Sequence, residues 1–412
     1  MLLKKTKYLI VLLLIITSIG AYAERPGWPI DMKDDIFSSP LLADINGDGK
    51  LEIIVCSSGS RAADKNGSVH MWDCDGKPMP GWPRKVEGRI MGSSPAGGKT
   101  GAKYQIIVCT EKGLIYAWHQ DGTPVKGWPV SLPGGITSTP ILKDLDSDGQ
   151  SEIIAGCLDG KVYIIKDSGH PLAGWPRDTG SPVTGIAAAD IDGDGSPEII
   201  ACGKNNRVHI WNKQGQLLAG WPRENLSYTS PAIGKIDPRS KGLEMVFTGE
   251  KQINILHCDG TSMAGWPKEI PHPGPPALGD IDNDGSLEII ASSNPKKQRS
   301  SVYAWHMDGA LVKGWPVEPG GAAGYAIADI PVLYDLDGDG TLEVIVPHTC
   351  YSIHAWHFDG TRVKNFPIRD IGMQYYSPSI ADLDDNGRLE LVFGGVSSVL
   401  KVHVFQLPFA YR

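Results

Sequence analysis

Short runs of β-branched and apolar residues alternate with polar turns along nearly the whole chain. A run such as residues 52–55 is followed by a run of alternating character such as residues 69–72. The first pattern predicts a fully buried strand, and the second predicts a strand that is polar on one side. Beyond the N-terminal segment no stretch shows sustained helical periodicity, so the sequence predicts an all-β protein.

Three landmarks divide the chain into eight units. An Asp-Gly pair such as Asp121-Gly122 predicts a hairpin, because Gly accepts positive φ. A Gly-Trp-Pro element follows, and its proline suits an outer strand because proline cannot donate to a sheet ladder. Its tryptophans are Trp28, Trp82, Trp128, Trp175, Trp221, Trp266 and Trp315, and Phe366 stands at the eighth position. The first strand of each unit follows a proline four residues before a polar loop: Pro40, Pro95, Pro140, Pro231, Pro276, Pro331 and Pro378, with Ile186 as the exception.

Four strands, A to D, in units of about 45 residues predict an eight-bladed β-propeller. Residues 24–412 would form this single domain. The last unit lacks a Gly-Trp-Pro element, whereas Gly27-Trp28-Pro29 stands before the first unit. An N-terminal strand is therefore expected to complete the last blade. An open solenoid is the alternative, but it needs polar caps, and the sequence shows none.

Six units carry an acidic loop between strands A and B, always in one register. Positions 1, 3 and 5 hold Asp or Asn, position 6 holds Gly and position 9 holds Glu. The oxygen-bearing residues are Asp44, Asn46, Asp48 and Glu52; Asp144, Asp146, Asp148 and Glu152; Asp190, Asp192, Asp194 and Glu198; Asp280, Asp282, Asp284 and Glu288; Asp335, Asp337, Asp339 and Glu343; and Asp382, Asp384, Asn386 and Glu390.

Closely spaced hard oxygens suit Ca²⁺, and Gly permits the sharp turn between them. The sequence therefore predicts about six calcium sites. Their role is expected to be structural, because carboxylates in one loop repel each other and a cation removes that cost. A solvated Asp-rich turn is the alternative. The second and fifth units replace the loop with 99–103 and 235–241, which carry Lys and Arg. Either a basic side chain supplies the positive charge there, or the turn is an ordinary one.

The N-terminus predicts a secreted or periplasmic protein. Three lysines precede an apolar run over residues 8–19, and Ala21-Tyr22-Ala23 follows. This is the pattern of a signal peptide, residues 1–23, with cleavage after Ala23. The run is short for a bilayer span, which takes about 20 residues, so no stable membrane insertion is expected.

Charge and cysteine content narrow the functional classes. The formal net charge is −8, which argues against a nucleic-acid partner. The number of cysteines, seven, is odd, and several occupy equivalent places in different units, where disulfide reach is rare. They are interpreted as small buried side chains rather than as a disulfide framework, although the sequence leaves their redox state open.

No catalytic constellation emerges from the motifs. The sequence has no nucleophile elbow, no zinc-type histidine spacing and no phosphate-cradling glycine loop. Trp-His pairs recur at Trp118-His119, Trp305-His306 and Trp356-His357 and are interpreted as blade packing. Whether the chain has any enzymatic activity stays open, with a non-enzyme favoured.

The segment from Phe37 to Val55, with Ser-Ser-Pro before the acidic loop and Glu-Ile-Ile-Val after it, resembles an FG-GAP or VCBS repeat. Such repeats build the propeller of integrin α-subunits and many bacterial secreted proteins. The resemblance covers essentially the whole chain after residue 23 and implies a calcium-binding propeller. It also implies calcium loops on one face and ligand binding on the opposite face. The Gly-Trp-Pro element is not part of that family's minimal motif.

Departures from the repeat supply the candidate ligand residues. If the acidic loops lie on one face, the B–C loops and D–A connectors lie on the other. These segments are basic and aromatic, as expected for a face that binds a glycan or a protein. The candidates are Arg61, Lys65, Arg89, Tyr228, His272, Lys296, Lys297, Arg299, Tyr325, Tyr375 and Tyr376.

The sequence thus favours a calcium-stabilised, monomeric binding module for a glycan or an extracytoplasmic protein. One alternative is a lyase or glycoside hydrolase of acidic polysaccharides, which would need His, Tyr and Arg to converge in one place. Another alternative is a structural spacer or adhesion domain.

Overall fold

Eight antiparallel sheets form all the β-structure in the computed structural model, which describes residues 22–101, 103–295, 298–321, 325–327, 329–397 and 399–410. Most of the predicted signal peptide lies outside these ranges. Within them there is no α-helix. Accordingly, none of the described residues belong to a helix long and apolar enough to cross a membrane. The fold is an all-β, eight-bladed propeller, as predicted.

Strand A of a blade begins directly after its proline. The A strands are β3 (Leu41–Ala43), β7 (Ala96–Thr100), β11 (Ile141–Lys143), β15 (Val183–Ala189), β18 (Ala232–Gly234), β22 (Ala277–Gly279), β25 (Val332–Tyr334) and β29 (Ser379–Ala381). β15 starts earlier than its equivalents, because Ile186 stands at the proline position and can pair there, opposite Ala201.

Strand B is almost wholly buried, because both of its sides face neighbouring blades. The B strands are β4 (Glu52–Ser57), β8 (Lys103–Cys109), β12 (Glu152–Gly156), β16 (Glu198–Gly203), β19 (Glu244–Thr248), β23 (Glu288–Ser293), β26 (Glu343–His348) and β30 (Arg388–Gly394).

Strand C pairs with strand B and ends next to the hairpin turn. The C strands are β5 (Ser68–Trp72), β9 (Leu114–His119), β13 (Lys161–Ile165), β17 (Val208–Trp211), β20 (Gln252–Leu256), β24 (Ser301–Trp305), β27 (Ser352–Trp356) and β31 (Lys401–Ala410).

Strand D is the shortest. It is formed by β6 (Arg84–Lys85), β10 (Val130–Ser131), β14 (Arg177–Asp178), β21 (Lys268–Glu269) and β28 (Ile368–Arg369). In the fourth and sixth blades it is reduced to single bridges, Val208–Arg223 and Val302–Val317.

The N-terminus closes the ring. β1 (Ala23–Glu24) and β2 (Ile30–Asp31) both pair with β31 of the last blade. The hydroxyl of Ser379 in the last blade also donates to the carbonyl of Pro40, next to the first blade, at 2.6 Å. The predicted closure of the last blade by an N-terminal strand is confirmed, with two short strands sharing the role.

The hydrophobic core consists of eight clusters, each lying between two adjacent blades. The cluster between the second and third blades joins Ile107 and Cys109 to Ile153 and Cys157, for example. All seven cysteines are free, and five of them are buried. The five buried cysteines are packing residues, as interpreted from the sequence, whereas Cys258 and Cys350 are half-buried.

The Gly-Trp-Pro tryptophan of each blade docks onto the next blade. Its indole Nε1 donates to a backbone carbonyl in the next C–D hairpin; the acceptors are Cys74, Gln120, Asp167, Lys213, Cys258, Met307 and Phe358. Several of these rings also meet the strand-C tryptophan edge-on, as Trp82 meets Trp118 with centroids 5.8 Å apart. The X-Pro bond is cis in all eight elements. Phe366 stands in for tryptophan at the eighth interface and packs edge-on against Tyr22 at 5.2 Å.

The glycine of this element lets the two backbones approach. At Gly314, φ is 95°, and a Cβ would lie 1.8 Å from the carbonyl oxygen of Asp359 in the next blade. Gly320 has nearly the same φ, 92°, but a Cβ there would meet nothing within 4 Å. Alanine substitutions at Gly314 and Gly320 therefore separate the free-energy cost of a positive φ from the cost of pushing two blades apart.

We expect Gly320→Ala to lower the unfolding free energy by about 1–2 kcal/mol, the cost of a left-handed alanine. Gly314→Ala should lower it clearly further, because the blades must also separate. Urea unfolding followed by tryptophan fluorescence measures both losses. Equal losses would show that blade docking tolerates the extra carbon.

A second repeated contact places an aromatic or histidine ring on the strand-C tryptophan. Tyr116 and Tyr303 stack on their tryptophans, and His209 takes the same place on Trp211, with centroids 5.3 Å apart. His209 is buried, and its Nδ1 has no hydrogen-bond partner. Burial lowers the pKa of His209 to about 4.

This pKa predicts acid sensitivity. The unfolded chain binds a proton at His209 below about 6.5, whereas the native protein does so only near 4. Stability present above pH 6.5 is therefore lost as the pH falls towards 4. His209→Tyr, which copies the equivalent blades, should make this loss shallower. His170→Tyr, at an exposed histidine, should leave the slope unchanged in melting curves across this range, and an equal effect of both variants would refute the assignment.

Candidate functional site

The blade topology sorts the loops onto two faces. In an antiparallel blade the A–B loops and C–D hairpins emerge at one face, here called the acidic-loop face. Arg25 demonstrates this, since its NH2 atom bonds Asp384 in an A–B loop at 2.5 Å and Asp75 in a C–D hairpin at 3.3 Å. The B–C loops and D–A connectors emerge at the other face, here called the connector face.

All six acidic loops close through the same hydrogen bonds. The position-6 glycine has φ between 78° and 91° and donates its N–H to the position-1 aspartate, as Gly195 does to Asp190 at 2.9 Å. Likewise, the position-2 N–H donates to the position-9 glutamate, as Ile191 does to Glu198 at 2.9 Å. One acidic cluster has the oxygens of Asp190, Asp192 and Asp194 within 4.8 Å of one another.

The position-9 glutamate is the buried member of each loop. Burial, with a smaller contribution from the neighbouring aspartates, raises the pKa of Glu198 to about 7. The pKa of Glu343 is raised to about 7 in the same way. Removal of the carboxylate from water is the larger cause in both cases, and the neighbouring negative charges add to it.

Unsatisfied carboxylate oxygens test whether these loops fit a calcium ion. The Oδ1 atoms of Asp144, Asp282 and Asp384 are buried and have no hydrogen-bond partner. A buried carboxylate oxygen without a partner is costly, and a cation coordinated by it removes the cost. The donor set of carboxylates and backbone carbonyls is the one Ca²⁺ prefers. The loops therefore fit the ion.

In some of the acidic loops a basic side chain or a histidine already bonds an acidic residue. In the last blade Arg25 NH1 bonds Glu390 at 3.0 Å, in addition to its bond to Asp384. In the third blade Lys166 Nζ bonds Asp146 at 2.9 Å. In the sixth and seventh blades a histidine meets the position-9 glutamate, as His357 meets Glu343 at 3.0 Å.

The two units without an acidic loop differ from each other: one has a basic side chain in place of a cation, and the other has an ordinary turn. In the fifth blade Lys235 Nζ donates to the carbonyl of Gly242 at 3.0 Å, and Arg239 bonds Asp237 with two nitrogens. A basic side chain supplies the positive charge there. In the second blade β7 and β8 instead form a tight hairpin, with Thr100 paired to Lys103. An ordinary turn has replaced the loop.

The connector face carries a groove of about 590 Å³ between the fifth and sixth blades. Two D–A connectors contribute Tyr228 and His272, and the B–C hairpin of the fifth blade contributes Glu250 and Lys251. Pro273, Gly274, Pro275, Asn294 and Ile327 also line the groove.

Asn294, one of the lining residues, ties together the segments that form this groove. Its Nδ2 donates to the carbonyl of Ile327 at 3.0 Å, and its Oδ1 accepts from the N–H of Ile327 at 2.8 Å. Its own backbone N–H donates to the carbonyl of His272 at 3.1 Å. The B–C loop of the sixth blade is thereby tied to two D–A connectors, so the groove is preformed.

Its wall groups, by contrast, are free to bind. Among the described residues, the side chains of Tyr228, His272, Glu250 and Lys251 make no hydrogen bond or ion pair. Tyr228 is 45% exposed, the second-highest value among the large exposed apolar and aromatic side chains. His272 has a φ of 48°, a conformation that is uncommon outside glycine. The groove thus presents an aromatic ring and both signs of charge.

The other predicted ligand residues lie elsewhere. Arg61 bonds Asp35 with two nitrogens and reaches the carbonyl of Ser397, and Lys65 bonds the carbonyl of Ser60. Arg89 is paired with Glu111 at 2.7 Å. These bonds tie connectors to neighbouring loops.

The remaining candidates divide between two places. Tyr375 and Tyr376 pack near Phe37, with ring centroids 6.2 and 6.4 Å away. Arg299 lies 3.7 Å from Glu318, and Tyr325 lies 6.3 Å from the ring of His348. Lys296 and Lys297 fall outside the described residues. Of the eleven candidates, Tyr228 and His272 share the groove.

Sequence reasoning missed several residues that the structure brings together. Glu250, Lys251 and Asn294 look like ordinary loop residues in the sequence, since only the ring of blades places their hairpins beside His272. It also missed His348, Cys350 and His354, whose ligand atoms all lie within 4.8 Å of one another. The signal available in the sequence was their spacing, two and then four residues apart across a turn, although this spacing matches no standard zinc motif.

Comparisons with known proteins agree with the fold. The ring and its loops define an eight-bladed β-propeller with one face of acidic loops. The model of the FG-GAP-like repeat matches residues 144–201 and 280–346, which contain four of the six acidic loops. The chain is therefore a propeller of FG-GAP-like repeats.

Solved structures share the architecture at low sequence identity. BamB from Moraxella catarrhalis is 15% identical, with a TM-score of 0.61 over 95% of this chain and 99% of its own. The Dos1 propeller is 10% identical, with a TM-score of 0.60 over 95% and 96%. The computationally designed Ika8 protein is 14% identical, with a TM-score of 0.56 over 92% and 98%. At these identities the similarity concerns the fold alone. The search of curated proteins found no significant match.

Proposed function

We propose that this chain is an extracytoplasmic binding module that holds a glycan in the groove between its fifth and sixth blades. The observation that carries the proposal is the groove itself, whose segments are held together by Asn294 and whose charged and aromatic side chains are free of hydrogen bonds among the described residues. Its volume is within the range of about 300–1,000 Å³ common for ligand sites.

The chemistry of the walls favours a glycan. A sugar ring presents an apolar face that stacks on an aromatic side chain, and hydroxyls that bond carboxylates, imidazoles and ammonium groups. Tyr228 offers the ring, and Glu250, Lys251 and His272 offer the polar partners. Pro273 and Pro275 add rigid apolar surface, and rigid walls lower the entropy cost of binding.

Calcium belongs to the same proposal as a structural ion. The unsatisfied aspartate oxygens and the raised glutamate pKa values support cation binding on the acidic-loop face. The loop at Asp382 is expected to bind most weakly, because Arg25 already holds Asp384 and Glu390. The N-terminal segment, which has the pattern of a signal peptide, supports export of the chain.

A polysaccharide lyase is the second candidate, because Tyr228 and His272 do line one groove. A lyase of acidic polysaccharides needs a base beside the sugar and a cation that neutralises its carboxylate. Arg89, one of the predicted ligand residues, is paired with Glu111 at another blade interface. Lys251 is the cation that lines the groove instead.

Glycan-array binding of the purified protein tests the groove. For a glycan that the array shows to bind, we expect Tyr228→Ala to weaken binding about tenfold or more, because the aromatic ring on which the sugar stacks is lost. Tyr375→Ala is the matched control, since it removes an exposed tyrosine from the same face outside the groove, and should leave the Kd unchanged.

Other outcomes of this experiment separate the alternatives. New unsaturated products from an acidic polysaccharide would replace the binding proposal with a lyase. Capture of peptides rather than glycans, with the same dependence on Tyr228, would point to a protein ligand. If the protein binds neither a glycan nor a peptide, the groove proposal is wrong and a role as a structural spacer is favoured.

Chelation tests the calcium sites separately. We expect excess EDTA to lower Tm by about 10 °C or more, since each site at a hundredfold excess over Kd adds about 2.7 kcal/mol. Added Ca²⁺ should restore Tm, and Mg²⁺ should not. Asp280→Asn should shrink this shift, whereas Asp237→Asn, in the loop already served by Arg239, should not. A melting curve indifferent to EDTA would contradict structural calcium.

A further inference from the structure

A second cluster of metal-ligand side chains lies on the connector face, at the B–C hairpin of the seventh blade. His348 ends β26, Cys350 stands in the turn, and His354 lies in β27. His348 and His354 are buried, whereas Cys350 is half-buried and reachable from solvent. None of these three residues lines the groove.

The side chains of this cluster converge closely. His348 Nδ1 lies 2.6 Å from Cys350 Sγ. The hydroxyl of Ser352 lies between the other two ligand atoms, 3.1 Å from Cys350 Sγ and 2.9 Å from His354 Nε2. The ligand atoms of the two histidines and the cysteine are all within 4.8 Å of one another.

The surroundings of His348 orient it as a ligand. The backbone N–H of Cys350 donates to its Nδ1 at 3.3 Å, so this nitrogen is unprotonated, and its lone pair would pass from that long hydrogen bond to a metal ion. The other nitrogen, Nε2, is 3.0 Å from the hydroxyl of Ser300 and donates to it. Metal-bound histidines are held in this way, with the second ring nitrogen bonded to a neighbouring group.

We infer that His348 Nδ1, Cys350 Sγ and His354 Nε2 form a binding site for one zinc-class transition-metal ion. A tetrahedral Zn²⁺ with bonds of about 2.0–2.3 Å spaces its ligand atoms about 3.5 Å apart. The three atoms, which now all lie within 4.8 Å of one another, would move to that spacing when the ion binds. The Ser352 hydroxyl or a water takes the fourth position, and the thiol proton is released to solvent on binding.

This site differs in chemistry from the acidic loops. A thiolate and two imidazoles suit Zn²⁺ or other borderline ions, whereas carboxylates and carbonyls suit Ca²⁺. The two kinds of ion are thus directed to opposite faces of the propeller.

Arg362 limits the affinity of this site. Its NH1 lies 3.2 Å from His354 Nδ1, and a guanidinium can only donate, so His354 carries its proton on Nε2 when no metal is bound. Coordination through Nε2 moves that proton to Nδ1, and Arg362 must then turn away. The arginine stays anchored by NH2 at the carbonyl of Glu318, 2.9 Å away. Arg362→Gln offers a carbonyl that accepts the Nδ1 proton and should tighten binding about tenfold.

Cobalt titration of the reduced full-length protein tests the inference, with excess Ca²⁺ present to occupy the acidic loops. We expect one Co²⁺ per chain to give a near-ultraviolet thiolate-to-cobalt absorption band that Zn²⁺ displaces. Cys350→Ser should abolish the band, and His354→Gln should weaken binding by about tenfold or more. Cys258→Ser, at a half-buried thiol on the acidic-loop face, is the matched control and should retain it.

The wild-type protein supplies a measurement that does not depend on the folding of any variant. Zn²⁺ should slow the alkylation of Cys350 by iodoacetamide, mapped by peptide mass spectrometry, while leaving Cys258 unaffected. Absence of the thiolate band, its persistence in Cys350→Ser, or alkylation of Cys350 that Zn²⁺ does not slow would each overturn the site. These results do not depend on glycan binding, so either proposal can fail alone.

Discussion

The docking of each Gly-Trp-Pro element onto the next blade is the contact on which the other features depend. A single blade cannot bury both sides of its B strand, so its stability comes from its neighbours. The indole of Trp128 contributes apolar area and a donated hydrogen bond to Asp167, and Gly127 brings the two backbones together. Because the contact repeats around the ring, both faces are held on one rigid frame, and loops on either face can diverge without loss of the core.

The acidic-loop face shows this divergence most clearly. The connection between strands A and B is an acidic loop in six blades. In the fifth blade it is a loop in which Lys235 bonds a backbone carbonyl, and in the second blade it is a tight hairpin at Thr100. Which form is present depends on whether a buried acid stands at the start of strand B. Where the acid is kept, as at Glu244, backbone donors and His257 stabilise it. In the second blade Gln105 takes its place, and no charge remains to be balanced.

Much of the fold followed from local rules. The period of the repeat counted the blades, the proline before each loop marked the start of strand A, and Gly27-Trp28-Pro29 indicated which end closes the ring. These features are encoded within a few residues of where they act. The candidate ligand residues fared differently, because Arg61 and Arg89 looked like free charges in the sequence, whereas the fold pairs them with Asp35 and Glu111. Such pairs join different segments, and no local pattern reports them.

The sequence by itself determined the strand order, the blade number and the position of each acidic loop, since all three depend on spacing along the chain. Tertiary structure alone decided which side chains share a site. The groove joins Tyr228 to Asn294, and the thiol cluster joins His348 to Ser300, because closing the ring sets loops from different blades side by side. The distances between those loops depend on how tightly the blades dock, and docking is a property of the whole ring.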